Sequence, residues 1–327
     1  MKKWLMIMGC VGFMGSCEAA MITTQVPDKG QPLVVVDAQD NTNLMPSQFR
    51  TSSDNFAPAL IRKELAKQYT LPSRKGLDQL NFSASAQFSE SSLRNLINVT
   101  GQDLCIVDLR LESHGFGGGH AVSLYAPQNA INQGFSPQVA LQREEAFLAE
   151  LERTDPAFLR LIMDKDDGQI CAGAKVVSKF CPVESEEALV ARHGVGYVRF
   201  ATLDHARPSD EVVDAFVAFV TQAPARTKLH FHCRAGKGRT TQFLALYDML
   251  KNAKNVSFED IVTRQHLIGG SPLTNISDDE EVSWKKQLSQ ERLAFLKAFY
   301  LYAKDPGGYG VTTWSQWHRK NAPAEKS

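Results

Sequence analysis

The segment His232-Cys233-Arg234-Ala235-Gly236-Lys237-Gly238-Arg239-Thr240 places a cysteine, five further residues and an arginine between two patterns of regular secondary structure. The run Lys228–His232 before it is typical of a strand, and residues 240–252 have the periodicity of a helix. A turn this short at a helix N-terminus points successive backbone N–H groups inward, and its two glycines permit the backbone angles and close approach that this requires. The sequence therefore predicts a cradle for a phosphate dianion.

Four side chains of this loop are of types that carry phosphoryl-transfer chemistry. Cys233, at the start of a helix, is expected to be a thiolate that attacks phosphorus, and Arg239 can hold two phosphoryl oxygens through paired hydrogen bonds. Thr240 is expected to donate a hydrogen bond to the sulfur, and His232 to fix the loop rather than donate a proton. A plain turn with a buried thiol is the alternative, but the flanking histidine, glycines and threonine favour the phosphate loop.

A thiolate phosphatase also needs an acid that protonates the leaving oxygen and later activates water. Asp204 is the candidate, because it lies in a polar loop after a predicted strand. The helix predicted over Asp210–Gln222 returns the chain to the start of the strand before Cys233, which brings Asp204 to the same rim. Helix capping is the alternative role, although Ser209 and Asp210 are better placed for it.

Short β-rich runs alternate with helical patterns over most of the chain. Strands are predicted over residues 103–109, 196–200 and 228–232, and helices over residues 141–151, 210–222, 240–252, 258–267 and 280–303. This alternation predicts an α/β fold with a mainly parallel central sheet flanked by helices. Active sites in such sheets lie beyond the carboxyl ends of the strands.

Composition narrows the classes of partner. The chain has 327 residues, 43% of them hydrophobic, which is enough for one large domain or two modest ones. Lys plus Arg and Asp plus Glu both number 36, and no nucleic-acid-binding motif is found, so neither nucleic acid nor a membrane surface is indicated. The eight histidines form no compact ligand pattern, so no metal is expected.

The first 20 residues have the order of a signal peptide: a basic start, an apolar run over residues 4–14 and small residues at the end. The apolar run is too short for a transmembrane segment, so we expect export to the periplasm or the medium. Gly15-Ser16-Cys17 also resembles the end of a bacterial lipoprotein signal, which leaves a lipid anchor at Cys17 as an alternative to cleavage after Ala19 or Ala20. Residues 21–45 are interpreted as a leader segment with one strand-like run, and residues 46–320 as the phosphatase domain.

Three further cysteines accompany the predicted nucleophile in the mature chain. Cys171 and Cys181 lie close together in a loop-like stretch, so they could pair in an oxidising compartment; two unpaired thiols are the alternative. Cys105 lies in an apolar run and is expected to be a buried hydrophobe.

The chain resembles the cysteine phytases, which are protein-tyrosine-phosphatase-like enzymes that hydrolyse myo-inositol hexakisphosphate. The resemblance extends from about Gln48 to Trp317. The matching segments are residues 49–54, 71–76, 85–88, 107–115, 204–205, 232–240, 247–252, 264–266, 268–270, 283–285 and 308–309.

This resemblance implies a tyrosine-phosphatase-like core with a small partial β-barrel lobe, stepwise hydrolysis of inositol polyphosphates through a phosphocysteine, and no cofactor. It makes Cys233 the nucleophile, Asp204 the general acid and Arg239 the phosphate clamp. Substrate contacts are implied for Arg50, His205, Arg234, Ala235, Gly236, Lys237, Gly238, Lys285 and Arg292. Basic groups around a thiolate loop suit a polyanion because each phosphate favours a charge-assisted partner, whereas a solvated helix face is the default interpretation of Lys285 and Arg292 alone.

The chain departs from the family pattern in places. Arg234 and Lys237 replace acidic and apolar residues of some members, so the loop resembles that of tensin-related phosphoinositide 3-phosphatases. Asn129 stands where an acidic substrate contact can occur, and residues 165–179 match poorly. A protein-tyrosine or phosphoinositide phosphatase is therefore the alternative enzyme. A non-catalytic inositol-phosphate-binding module is the alternative of another class, although such a module could dispense with Cys233 and Asp204. No pattern indicates the oligomeric state.

Overall fold

The computed structural model describes residues 32–40, 44–65, 70–154, 157–166, 169–177, 180–276 and 283–321. The predicted signal peptide and the alternative lipid anchor at Cys17 lie outside these ranges. Within them, no helix combines the length and the apolar character needed to cross a membrane.

The strands of the described chain are β1 (Leu33–Ala38), β2 (Arg50–Thr51), β3 (Phe82–Ser85), β4 (Leu104–Arg110), β5 (His114–Gly117), β6 (His120–Tyr125), β7 (Ala157–Asp166), β8 (Gln169–Val177), β9 (Val183–Glu184), β10 (Gly196–Thr202) and β11 (Lys228–His232). The α-helices are α1 (Pro58–Leu65), α2 (Glu90–Thr100), α3 (Pro137–Arg153), α4 (Glu186–Arg192), α5 (Asp210–Gln222), α6 (Gly238–Asn252), α7 (Phe258–Leu267), α8 (Ser283–Lys304) and α9 (Trp314–Asn321).

A mainly parallel sheet forms the centre of the core, as the sequence predicts. Its strand order is β10-β4-β11-β3-β2, and each neighbouring pair is parallel except β3 with the short edge strand β2. Because β4, β10 and β11 run in the same direction, their carboxyl ends meet at one edge of the sheet. The chain segments that follow these three strands carry Glu112, Asp204 and Cys233.

Helices cover this sheet and hold the end of β11 in place. The helix α6, which follows the phosphate loop, packs against α7 and α8, and α5 packs against β10 and α9. The rings of Phe216, Phe231 and Phe243 are fully buried between these layers. The hydroxyl of Ser209 accepts a hydrogen bond from the Val212 backbone N–H at 3.4 Å, so Ser209 caps α5. Asp204 is therefore not the capping residue of this helix.

A second, six-stranded sheet forms the lobe, in the order β8-β7-β1-β6-β5-β9. All its pairings are antiparallel except β1 with β7. The strand β1 is part of the segment 21–45 that was interpreted as a leader, and here the structure differs from the prediction. Val34, Val35 and Val36 are buried, so this apolar run stabilises the lobe by packing within it.

The segment around residues 165–179, interpreted as loop-like, is largely a hairpin. The strands β7 and β8 pair from Ala157 opposite Val177 to Asp166 opposite Gln169, which satisfies backbone groups that a loop would leave to water. Cys181 is exposed and carries a free thiol. Of the two alternatives for this cysteine, the structure therefore shows the unpaired one.

Candidate active site

The predicted phosphate loop, residues 232–240, connects the carboxyl end of β11 to the first turn of α6. Gly236 has a φ of +66°, and a Cβ atom there would lie 2.4 Å from the Ala86 backbone nitrogen. The Gln87 N–H donates to the Arg234 carbonyl at 3.2 Å, and Arg50 Nη1 donates to the Gly236 carbonyl at 2.9 Å. The loop is therefore fixed from beneath by the end of β3 and by a buried arginine.

The thiol of Cys233 lies at the floor of this loop and is 2% exposed. Thr240 Oγ1 donates a hydrogen bond to the Cys233 sulfur at 3.1 Å, as the sequence predicts. Such a hydrogen bond favours negative charge on sulfur, and it therefore suits a thiolate that acts first as nucleophile and later as leaving group.

Arg239 is held rigidly by a buried carboxylate. Its Nη1 donates to Glu112 Oε2 at 2.6 Å and its Nη2 to Glu112 Oε1 at 2.9 Å, with both side chains 1% exposed. Burial opposes ionisation of Glu112, but Arg239 and Arg110 outweigh it and hold the pKa of this carboxyl well below its usual range. Glu112 is thus a positioning residue for the predicted phosphate clamp, a role that the sequence analysis did not assign.

The predicted general acid lies beside the clamp. Asp204 Oδ1 is 3.3 Å from Arg239 Nε, and Asp204 Oδ2 accepts a hydrogen bond from Asn129 Nδ2 at 3.0 Å. Burial favours the neutral acid, but Arg239 and His205 outweigh it and lower the pKa of Asp204. The carboxyl remains 20% exposed, so a leaving group that enters the site can reach it.

Two further arginines near the reactive groups carry buried N–H donors that have no hydrogen-bond partner among the described residues. Within the described residues, Nε and Nη2 of Arg50 and Nε of Arg292 are buried and have no hydrogen-bond partner. Burial lowers the pKa of Arg50 to about 10 even though Cys233 and Asp54 raise it. Buried donors without acceptors are costly, so an anion in the site would stabilise them.

The remaining predicted contacts form one edge of the site. Arg292 Nη1 donates to the His205 carbonyl at 3.1 Å. The His205 ring meets the ring of Trp284 edge-on at 5.1 Å, and Lys285 Nζ lies 5.0 Å from the centre of that Trp284 ring. The structure thus brings Arg292 and His205 together and connects Lys285 to them through Trp284.

The two unusual basic residues of the loop are both tied to other elements. Arg234 Nε donates to Asp37 Oδ1 at 2.6 Å, and its guanidinium lies 5.1 Å from the centre of the Tyr125 ring. Lys237 Nζ donates to the Gly269 carbonyl at 2.9 Å. Burial and the nearby Arg50 lower the pKa of Lys237.

Behind the loop lies a buried network of charges. His232 Nε2 is 2.6 Å from Glu186 Oε1, with both side chains almost fully buried; that His232 fixes the loop stays a prediction. His114 lies 3.3 Å from Asp108 and 3.2 Å from Glu144. Although burial and a neighbouring arginine oppose protonation, these two carboxylates raise the pKa of His114 well above its ordinary value. Asp108 and Glu144 thus have a protonated partner in His114.

Replacement of Glu112 by glutamine should destabilise the protein, because it leaves Arg239 as a buried cation without its bidentate partner. We expect the free energy of unfolding, measured by urea denaturation at neutral pH, to fall by about 3–5 kcal/mol. Because the folded-state pKa of Glu112 is lowered, its contribution is present above the ordinary glutamate value of 4.5 and is lost as pH falls through the lowered value. The difference between Glu112→Gln and the wild type should therefore shrink in acid, whereas Glu145→Gln, at an exposed position on α3, should match the wild type at every pH. A Glu112→Gln protein as stable as the wild type would contradict this role.

Comparison with known proteins places this geometry in a family. The sequence model of the PTP-like phytase family, described by the words "Inositol hexakisphosphate", matches residues 107–251. A solved PTP-like phytase from Bdellovibrio bacteriovorus is 31% identical, with a TM-score of 0.66, and the match covers 90% of this chain and 98% of that one. This likeness places the chain in the tyrosine-phosphatase-like class of protein. Within that class, the chain belongs to the PTP-like phytase family.

Two other relatives are longer than this chain. The PTP-like myo-inositol phosphatase from Mitsuokella multacida, solved in complex with myo-inositol-(1,3,4,5)-tetrakisphosphate, is 34% identical with a TM-score of 0.82, and the match covers 92% of this chain and 49% of that one. The "Effector protein hopD2" from Pseudomonas syringae pv. tomato is 36% identical over 230 residues, which are 68% of this chain and 47% of the effector. The chain thus spans about half the length of each of these proteins.

Proposed function

We propose that the protein is an exported cysteine-dependent phosphatase that removes phosphates one at a time from myo-inositol hexakisphosphate and lower inositol polyphosphates. The observation that carries this proposal is the convergence of Cys233, Arg239 and Asp204, each with the partner that its role needs, at one end of the parallel sheet. Membership of the PTP-like phytase family supports the substrate class.

In the first step the Cys233 thiolate attacks phosphorus and the bond between phosphorus and the inositol oxygen breaks. Arg239 and the inward backbone N–H groups of the loop stabilise the charge on the transferring phosphoryl oxygens. Asp204 gives its proton to the departing oxygen. The lowered pKa of Asp204 describes the site without substrate; a phosphate on Arg239 adds negative charge beside the carboxyl and so favours its protonated form.

In the second step water attacks the phosphocysteine. Asp204, now a carboxylate, accepts a proton from that water, and the bond between phosphorus and sulfur breaks. The hydrogen bond from Thr240 to the sulfur stabilises the thiolate as it leaves. The products are inorganic phosphate, an inositol with one phosphate fewer and the regenerated thiolate.

The cations around the loop suit a substrate that carries several phosphates. The proposed contacts are Arg50, His205, Lys285 and Arg292 together with loop residues 234–238. Buried N–H groups of Arg50 and Arg292 lack acceptors within the described residues, and charge-assisted hydrogen bonds to phosphate would supply them. The likeness to a phosphatase solved with an inositol tetrakisphosphate supports this class of ligand.

Export rests on the N-terminal sequence pattern, with lipidation at Cys17 as its alternative. Mass spectrometry of the protein purified from its native host distinguishes the two. Loss of the first 19 or 20 residues supports cleavage by signal peptidase, and a diacylglyceryl group on an N-terminal Cys17 supports the lipoprotein. A chain that keeps its leader and stays in the cytoplasm would contradict export.

The substrate assignment is tested by phosphate release from the purified protein in a metal chelator. Inositol hexakisphosphate, a phosphotyrosine peptide and a phosphoinositide headgroup are offered in parallel, and kcat/KM is compared. We expect the highest value for inositol hexakisphosphate. A higher value for the peptide or the headgroup would favour the alternative enzyme, and tight binding without turnover would favour a binding module.

A further inference from the structure

A buried carboxylate of the lobe lies between two arginines, one of which belongs to the phosphate loop. The side chain of Asp37, on β1, is 0% exposed; its Oδ2 accepts a hydrogen bond from Arg110 Nη2 at 2.9 Å and its Oδ1 one from Arg234 Nε at 2.6 Å. Burial opposes ionisation of Asp37, but the two arginines outweigh it and lower its pKa. The lobe is thus bonded directly to the residue that follows the nucleophile.

The same chain of charges reaches the other end of the loop. Arg110 Nε donates to Glu112 Oε1 at 2.9 Å, and Glu112 in turn holds Arg239. Positive and negative groups therefore alternate from Arg234 through Asp37, Arg110 and Glu112 to Arg239. All five side chains are buried or nearly so, the most accessible being Arg234 at 12%, so solvent screens these pairs little.

We propose that Asp37 is a positioning residue of the phosphate loop and acts through Arg234. The proposal deepens the proposed function and rests on it. Arg234 is the neighbour of Cys233 in the chain, so the bond that fixes its side chain also restrains the backbone that carries the nucleophile. Because each of these five charged groups has its partner within the protein, the loop does not need a substrate anion to hold it in position, which avoids an ordering cost on binding.

A substrate with a single phosphate separates positioning from the binding of extra phosphates. In p-nitrophenyl phosphate the only phosphate is the one that reacts, so Arg234 has no second phosphate to hold. We expect Asp37→Asn and Arg234→Ala each to lower kcat/KM for this ester by about 10-fold to 100-fold, since small displacements of reacting groups have effects of this size. The double variant should lose little more than the worse single variant, because both substitutions break the same contact. Arg234→Lys, which can still pair with Asp37, should recover part of the activity.

Matched measurements make the outcome decisive. Asp40→Asn is the control, since Asp40 accepts a hydrogen bond from the Ser91 backbone N–H and faces α2, and it should hydrolyse the ester like the wild type. If Arg234→Ala hydrolyses p-nitrophenyl phosphate like the wild type and loses activity only on inositol hexakisphosphate, Arg234 is a substrate contact alone and the proposal is overturned. If Asp37→Asn fails to fold, the comparison of Arg234→Ala on p-nitrophenyl phosphate and on inositol hexakisphosphate still tests the proposal. A wild type that hydrolyses the aryl ester but no inositol polyphosphate would contradict the proposed function. The positioning role of Asp37 could still be tested in that case, because its test uses the aryl ester.

Discussion

Cys233→Ser should abolish turnover of inositol hexakisphosphate while the protein still binds polyanions. A serine hydroxyl is a far weaker nucleophile than a thiolate. Thr240 Oγ1, which bonds to the sulfur in the described site, is a hydrogen-bond donor and not a base that could activate a serine. Removal of a covalent nucleophile lowers kcat by as much as about 10⁶-fold in a serine hydrolase, and we expect a loss of at least about 10⁴-fold here. The cations of the site are untouched, so affinity should persist.

Three measurements check this expectation. Single-turnover kinetics with inositol hexakisphosphate give the chemical rate, and calorimetry with inositol hexasulfate, which the enzyme cannot dephosphorylate, gives the affinity of both proteins. Acid quenching should trap phosphate on the wild type and not on Cys233→Ser. Cys181→Ser, which changes the exposed free thiol of the described chain, should behave like the wild type. Substantial turnover by Cys233→Ser would rule out the phosphocysteine.

Local patterns carried most of the correct predictions for the core. The bounds predicted for the strand Lys228–His232 and the helices Asp210–Gln222 and Phe258–Leu267 are the observed ones. Each of these elements has one apolar face and a clear start or stop signal, so neighbouring residues suffice to define it. The strand–loop–helix arrangement around Cys233 was predictable for the same reason, because its cysteine, glycines, arginine and threonine lie within nine consecutive residues; phosphate binding by this loop stays a prediction.

The partners of the loop were not predictable in this way. Glu112 lies 127 positions from Arg239 and Asp37 lies 197 positions from Arg234, and nothing in the residues around either acid marks it as the partner of an arginine. Glu112 was within a segment that matched the family, so a signal was present, but no role followed from it. The strand β1 was interpreted as part of a leader because it is short and surrounded by polar residues; only its pairing with β6 and β7 shows that it belongs to the lobe.

The electrostatics of Asp204 lead to a second large effect, which depends on the leaving group. In the site without substrate, burial favours the protonated acid and Arg239 outweighs it, so Asp204 is ionised and paired. We propose that a phosphate bound by Arg239 adds negative charge beside Asp204, so that its carboxylate takes up a proton from solvent. Protonation matters most when the leaving oxygen is a poor leaving group, as an inositol hydroxyl is, and least for an activated phenol.

Asp204→Asn should therefore lower kcat for inositol hexakisphosphate by about 10²-fold to 10⁴-fold and the first-step rate for p-nitrophenyl phosphate far less. The pH profile should change as well. In the wild type, kcat for the inositol ester, which reports the groups of the substrate complex, should fall as pH rises and Asp204 loses its proton. The asparagine variant should lack this alkaline limb. Asp214→Asn is the matched control and should retain the wild-type profile. Asp214 lies on α5, and its hydrogen-bond partner in the described chain is Ser315. Equal losses on both esters, or an unchanged alkaline limb, would show that another group donates the proton. A loss confined to the inositol ester would assign the proton donation to Asp204. Because Asp204 pairs with Arg239, binding of the phosphate by Arg239 would then also bring Asp204 into its protonated form.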